Sequence, residues 1–139
     1  MLEDKKLKAF VPTVEPEKAK DFYMNVLGLK IMSEDNYGME FFTNGGMLRI
    51  TTVQKLTPQP FTVLGWDVDN LPSVIKSLVL KGVKFERYNF IEQDVVGIWT
   101  APGGDRVAWF KDPDGNLLSL SEMNNSTDTS TLSNSTLLI

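Results

Sequence analysis

Arg49 stands between Leu48 and Ile50 in the alternating stretch Met47-Leu48-Arg49-Ile50-Thr51. Successive side chains of a strand point to opposite faces, so Met47, Arg49 and Thr51 share one face and the two aliphatics the other. A guanidinium held there is a permanent cation with a fixed fork of donors, suited to a carboxylate, a phosphate or an enolate. The plainer alternative is an ion pair with an acid such as Glu40. Trp99, Trp109 and Phe110, with Phe10 and Met47 facing them, offer a second chemistry, because aromatic-lined hollows take flat or apolar molecules. Core packing is the simpler reading for any one of these rings. Tyr88 would add a hydroxyl at the rim. Glu40, Glu92 and Asp94 are the carboxylates available as a base, although Glu92-Gln93-Asp94 reads first as a solvated acidic loop, or as a lip over a pocket. Ser119 has no His or adjacent Lys to activate it as a nucleophile.

The composition removes several chemistries. The chain has no His and no Cys, so the usual general base, thiol nucleophile, disulfides and Cys-based zinc sites are missing. Its 139 residues suit one domain with a sizeable core. The net charge of −4 argues against a nucleic-acid surface. No apolar run reaches the ~20 residues of a membrane span. Met1-Leu2-Glu3-Asp4-Lys5-Lys6 lacks the apolar centre of a signal peptide. The expected location is the cytoplasm, with neither membrane nor nucleic acid as partner.

The elements that must position these residues come in two copies. Val14-Glu15 returns as Val68-Asp69, and Gly28-Leu29-Lys30-Ile31 returns as Gly82-Val83-Lys84-Phe85, each 54 positions on. A repeat of this length is one supersecondary unit copied, and two copies usually share a core. In the first copy a strand over about Leu7–Val14 leads to Pro16, which fits the first turn of a helix. Ala19, Phe22, Tyr23, Val26 and Leu27 then recur on one helical face, and Gly28 suits its left-handed end. Strands near Leu29–Ser33, Met39–Thr43 and Met47–Val53 follow, separated by Asn36-Tyr37-Gly38 and Asn44-Gly45-Gly46. The stretch Leu56–Pro60 is a linker. In the second copy a strand over Phe61–Val68, with Trp66 under the helix, precedes a helix capped by Asn70, with Leu71, Ile75, Leu78 and Val79 as its apolar face. Strands are expected near Val83–Tyr88, Gly97–Ala101, Arg106–Lys111 and Leu117–Ser121. The predicted units cover about 7–55 and 61–122 within a domain of residues 1–123. Residues 124–139 are polar and of low complexity, a composition that predicts disorder.

Three of these features resemble one known family. Phe22-Tyr23 followed by Val26-Leu27-Gly28-Leu29, the run Lys111-Asp112-Pro113-Asp114-Gly115-Asn116-Leu117-Leu118, and the paired βαβββ plan over residues 7–122 are together similar to the vicinal oxygen chelate superfamily. That group contains glyoxalase I, bleomycin-resistance proteins and extradiol dioxygenases. The resemblance implies an α+β fold. Its tandem βαβββ units would form a curved eight-stranded mixed sheet, a half-barrel around a pocket, with the helices outside. It implies a divalent metal in the members that carry His, Gln, Glu or Tyr at set places on the first and last strands of each unit. Here those places fall on Lys8 or Ala9, on Thr62 or Val63, on Arg49 and Thr51, and on Ser119, where the family usually has Glu. The expectation is therefore no metal and no cofactor. The chain should be a binding protein of the glyoxalase/bleomycin-resistance type, taking a small anionic or aromatic molecule against Phe10, Met47, Arg49, Thr51, Tyr88, Trp99, Phe110 and Ser119. A lyase, isomerase or dioxygenase using a carboxylate base or an unrecognised metal site is one alternative, and a ligand-free sensor or interaction module is another. Family members commonly pair, and open sheet edges need cover, so a homodimer is expected.

Overall fold

A computed structural model describes residues 1–124. The tail expected to be disordered, apart from Asn124, lies outside the described residues. Asn124 is tied to the body: its backbone N–H donates to the Asp105 carboxylate at 2.6 Å and its side chain to the Gly103 carbonyl at 2.6 Å. The fold is α+β. Among the described residues eight strands form two four-stranded mixed sheets, one in each of two compact units. Among the described residues no helix is long and apolar enough to cross a membrane.

The first unit comprises Met1–Gln59 and Asp112–Asn116. Its elements are β1 (Leu7–Thr13), α1 (Pro16–Asp21), a π-helical turn at Phe22–Val26, β2 (Ile31–Asp35), β3 (Gly38–Thr43) and β4 (Gly46–Thr52). The sheet order is β1-β4-β3-β2, with β1 parallel to β4 and the other pairs antiparallel. Strand alternation sorts the side chains. Val11, Met39, Phe41, Leu48 and Ile50 are buried with Ala19 and Tyr23, and the Tyr23 and Phe41 rings lie 6.0 Å apart. Phe10, Glu40, Met47, Arg49 and Thr51 take the opposite face.

The expected single helix over this segment is in fact α1 followed by the π-turn, in which the Leu27 N–H donates to the Phe22 carbonyl five residues back. The wider turn rotates the expected apolar face. Ala19 and Tyr23 are buried, while Phe22, Val26 and Leu27 are only half-buried.

The second unit comprises Pro60–Lys111 and, of the described residues, 117–124. It contains β5 (Thr62–Asp67), α2 (Leu71–Leu80), β6 (Trp99–Thr100), β7 (Arg106–Lys111) and β8 (Leu117–Glu122), in the order β5-β8-β7-β6. The Asn70 side chain caps α2 by accepting the Ser73 N–H. Leu71, Ile75 and Leu78 are buried, but Val79 is 52% exposed and does not belong to the apolar face predicted for it. Trp66 is half-buried and pairs opposite Leu120.

The repeat holds through both helix ends, where Gly28 and Gly82 have φ of 75° and 93°, values that cost a glycine little. It then breaks. β3 and β7 hold the same place in their sheets but start 68 positions apart. The added residues fall between Phe85, which makes an isolated bridge to Phe110, and Trp99, which pairs with Val107. The strands expected at Val83–Tyr88 and Gly97–Ala101 are thus the two remnants of one edge strand, opened by an inserted loop.

Candidate functional site

The inserted loop is a built structure. Gln93 accepts the Tyr88 N–H at 2.7 Å and donates to the Glu86 and Gly97 carbonyls at 3.0 and 2.9 Å. The Asp94 carboxylate accepts the N–H groups of Val96 and Ile98, and the Arg87 guanidinium donates to the Asp94 carbonyl at 2.6 Å. These bonds hold Tyr88, Phe90 and Ile91 against the sheet. Val107, Trp109 and Leu117 form a buried cluster on this face, with Tyr88, Ile91 and Trp99 packed on it. Tyr88 meets Trp109 edge-on at 5.6 Å, Trp99 lies 6.1 Å from Trp109, and Phe90 lies 5.2 Å from Tyr88. Such offset and edge-on contacts are favourable for aromatic pairs.

Together with Phe61 and Thr62, these rings line a groove of about 540 Å³. A second hollow of about 930 Å³ shares Tyr88, Phe90, Ile91 and Trp99 with it and adds Arg87, Thr100 and Arg106. Burial, helped by the Glu86 charge, holds the Tyr88 hydroxyl above its ordinary pKa, so it remains a donor at neutral pH.

Arg106 is committed elsewhere: its guanidinium grips the Glu122 carboxylate, which also accepts the Leu71 N–H at the start of α2. Ser119 is buried beside Trp109 on β8 and opposite Gly65 on β5.

The residues predicted for one pocket come from both units. Tyr88 and Trp99 line the groove, with Ser119 on the same sheet face. Phe10, Met47, Arg49 and Thr51 are brought together on the exposed face of the first sheet, where Phe10 is 60% exposed and pairs in register with Arg49. Phe110 is fully buried on the other face of β7, 5.4 Å from Phe85. The groove position belongs to its neighbour Trp109, because one step along a strand reverses the face.

Arg49 itself lies 3.6 Å from Glu40 and 3.7 Å from Asp35. Lys8 reaches Glu40 at 2.9 Å. The hydrogen bond from Lys8, opposed by partial burial and aided by both cations, holds the Glu40 carboxyl below its ordinary range. Phe61, Phe90, Ile91 and Leu117 are groove residues that the sequence reading did not select. For Phe90 and Ile91 the available signal was their place in a stretch with no counterpart in the first copy.

The motifs meet in the first unit. The Tyr23 hydroxyl donates to the Asp112 carboxylate at 2.8 Å. Asp114 accepts from the Thr13 hydroxyl and the Val14 N–H, and the Asn116 amide donates to the Pro12 carbonyl. A profile of the Glyoxalase/Bleomycin resistance protein/Dioxygenase superfamily matches residues 7–120. The chain belongs to this superfamily.

Among solved structures, a superfamily member from Sphaerobacter thermophilus aligns at TM-score 0.69 and 22% identity, over 88% of this chain and 100% of that one. The glyoxalase/bleomycin resistance protein/dioxygenase from Alicyclobacillus acidocaldarius aligns at 0.66 and 16%, over 93% and 96%. Lactoylglutathione lyase from Agrobacterium tumefaciens aligns at 0.65 and 15%, over 84% and 91%. At these identities the likeness is one of fold. Comparison with curated proteins finds no match.

The places where the superfamily resemblance puts metal ligands do not fit a metal here. Lys8 and Arg49 are cations already compensated by Glu40. Thr62 lines the groove without a carboxylate beside it. Among the described residues no three acid, His or Cys side chains converge.

Proposed function

We propose that this superfamily member is a small-molecule-binding protein that needs no metal, and that it holds a flat aromatic ligand in the groove of its second unit. The observation that supports this reading is the wall of Tyr88, Phe90, Trp99 and Trp109 around about 540 Å³ of space. Aromatic faces of this kind recognise planar ligands by stacking and apolar burial. Two of the three carboxylates considered as bases are committed: Glu40 to Lys8 and Arg49, and Asp94 to backbone N–H groups. This favours binding over catalysis, and the groove favours a ligand-binding protein over a ligand-free module.

Two of the three tryptophans lie at the groove, so the test is quenching of intrinsic fluorescence during titration with planar aromatic probes. Saturable quenching is expected, weakened about tenfold in Trp99→Leu, which removes a stacking partner worth ~1.4 kcal/mol. The absence of saturable binding across the series overturns the proposal. The expected homodimer and cytoplasmic location belong to the same reading. β1, β2, β5 and β6 are the sheet edges, and sedimentation at micromolar concentration should give the dimer mass; a monomer mass counts against it.

A further inference from the structure

We infer that the groove ligand carries an anionic group, and that Arg87, on the inserted loop, is the residue that receives it. This deepens the proposed function and rests on it.

The hollow of about 930 Å³ and the aromatic groove share Tyr88, Phe90, Ile91 and Trp99, so a molecule stacked on this wall has its substituents beside the second hollow. Two guanidinium groups line that hollow. Arg106 is neutralised by Glu122. Arg87 is different: its bond to the Asp94 carbonyl fixes the group without neutralising it. Among the described residues no carboxylate lies within ion-pair distance of it, and the nearby Asp94 carboxylate is turned to the Val96 and Ile98 N–H groups.

A guanidinium with one N–H anchored keeps other donors in a set direction and can bind a carboxylate as a fork. The ligand class is an aromatic carboxylate: ring on the tryptophans, charge toward Arg87. Glu92 lines the same hollow and is the opposing charge.

The test compares 2-naphthoate with 2-naphthamide, which has similar shape and no charge, by tryptophan quenching. The full-length protein should bind naphthoate about fivefold more tightly, the size expected of a charge contact near the surface. Arg87→Gln should erase that preference, so that the variant binds the two probes equally. Glu92→Gln, which removes no bond seen in the structure, should raise naphthoate affinity about twofold. Equal affinities in the wild type, or a preference that survives Arg87→Gln, overturn the inference while the groove proposal stands. If Arg87→Gln fails to fold, Glu92→Gln decides, and no gain for naphthoate overturns the inference. If neither probe binds, the groove proposal falls and this inference with it.

Discussion

Tyr23 and Asp112 are 89 positions apart, yet they form one buried hydrogen bond. Each was legible in the sequence as part of a motif, but the contact between them was not, because spacing along the chain carries no information about partners so distant. The bond is charge-assisted and dry. Burial raises the Asp112 pKa, against the lowering effect of the bonds from Asn116 and Tyr23, and burial together with the Asp112 charge raises that of Tyr23. Tyr23→Phe should therefore lower stability by about 1.5–3 kcal/mol, as for other lost bonds to charged groups, without unfolding the chain, since Asn116 still donates to Asp112. Urea denaturation reads this directly, and an unchanged midpoint would refute it. Arg49→Met should behave differently. Its two ion pairs are long, and Glu40 keeps Lys8 at 2.9 Å when Arg49 is gone. A stability change below ~1 kcal/mol is expected. A loss of several kcal/mol would show that Glu40 depends on Arg49 after all.

At the scale of elements, both helices, their glycine ends and the hairpin turns followed from the repeat and from turn chemistry, because those signals are local. Two features were hidden. One is the π-turn at Phe22–Val26, which no periodicity announces. The interrupted edge strand looked like two strands because its remnants both have strand composition; only pairing shows that Phe85 and Trp99 meet the same neighbour, β7. The choice of Phe110 over Trp109 failed for a related reason: both faces of β7 are apolar, so alternation could not say which looked into the groove.

Close approach sets another constraint, between β5 and β8. A Cβ on Gly65 would lie 2.5 Å from the Ser119 hydroxyl. Gly65→Ala should cost about 1–2 kcal/mol as an overpacked contact. Adding Ser119→Ala should recover a good part of it, a coupling typical of touching residues. Additive losses in the double mutant would place the strain elsewhere in the strand pair.

At the scale of the whole molecule, net charge and composition restricted the function, and the family profile now gives the fold a superfamily. What the sequence could not supply was the candidate site, since Tyr88, Phe90 and Ile91 of the groove lie in an insertion that has no copy to compare with. Stability against acid is another molecular property, and it turns on a few carboxylates. Glu122 joins β7, β8 and the start of α2 by accepting from Arg106 and from the Leu71 N–H. Those two bonds, that from Arg106 first, hold its carboxyl below the ordinary value of 4.5. A carboxyl whose folded pKa is depressed stabilises the fold above its unfolded pKa, and that contribution fades as pH falls through the folded value. Glu40, lowered by Lys8, acts in the same sense, whereas the raised Asp112 acts in the opposite one and softens the acid limb. Glu122→Gln keeps an oxygen for the Leu71 N–H and removes the charge. The variant should be about 1 kcal/mol less stable than the wild type at pH 7, a modest figure because Arg106 is 36% exposed. The two stability curves should converge as pH falls below 4.5 and through the depressed folded value, where the wild-type Glu122 itself becomes protonated. A constant gap from pH 7 down to pH 3 would mean that the Gln side chain fails to replace the bond to α2, and that the ionisation of Glu122 contributes nothing.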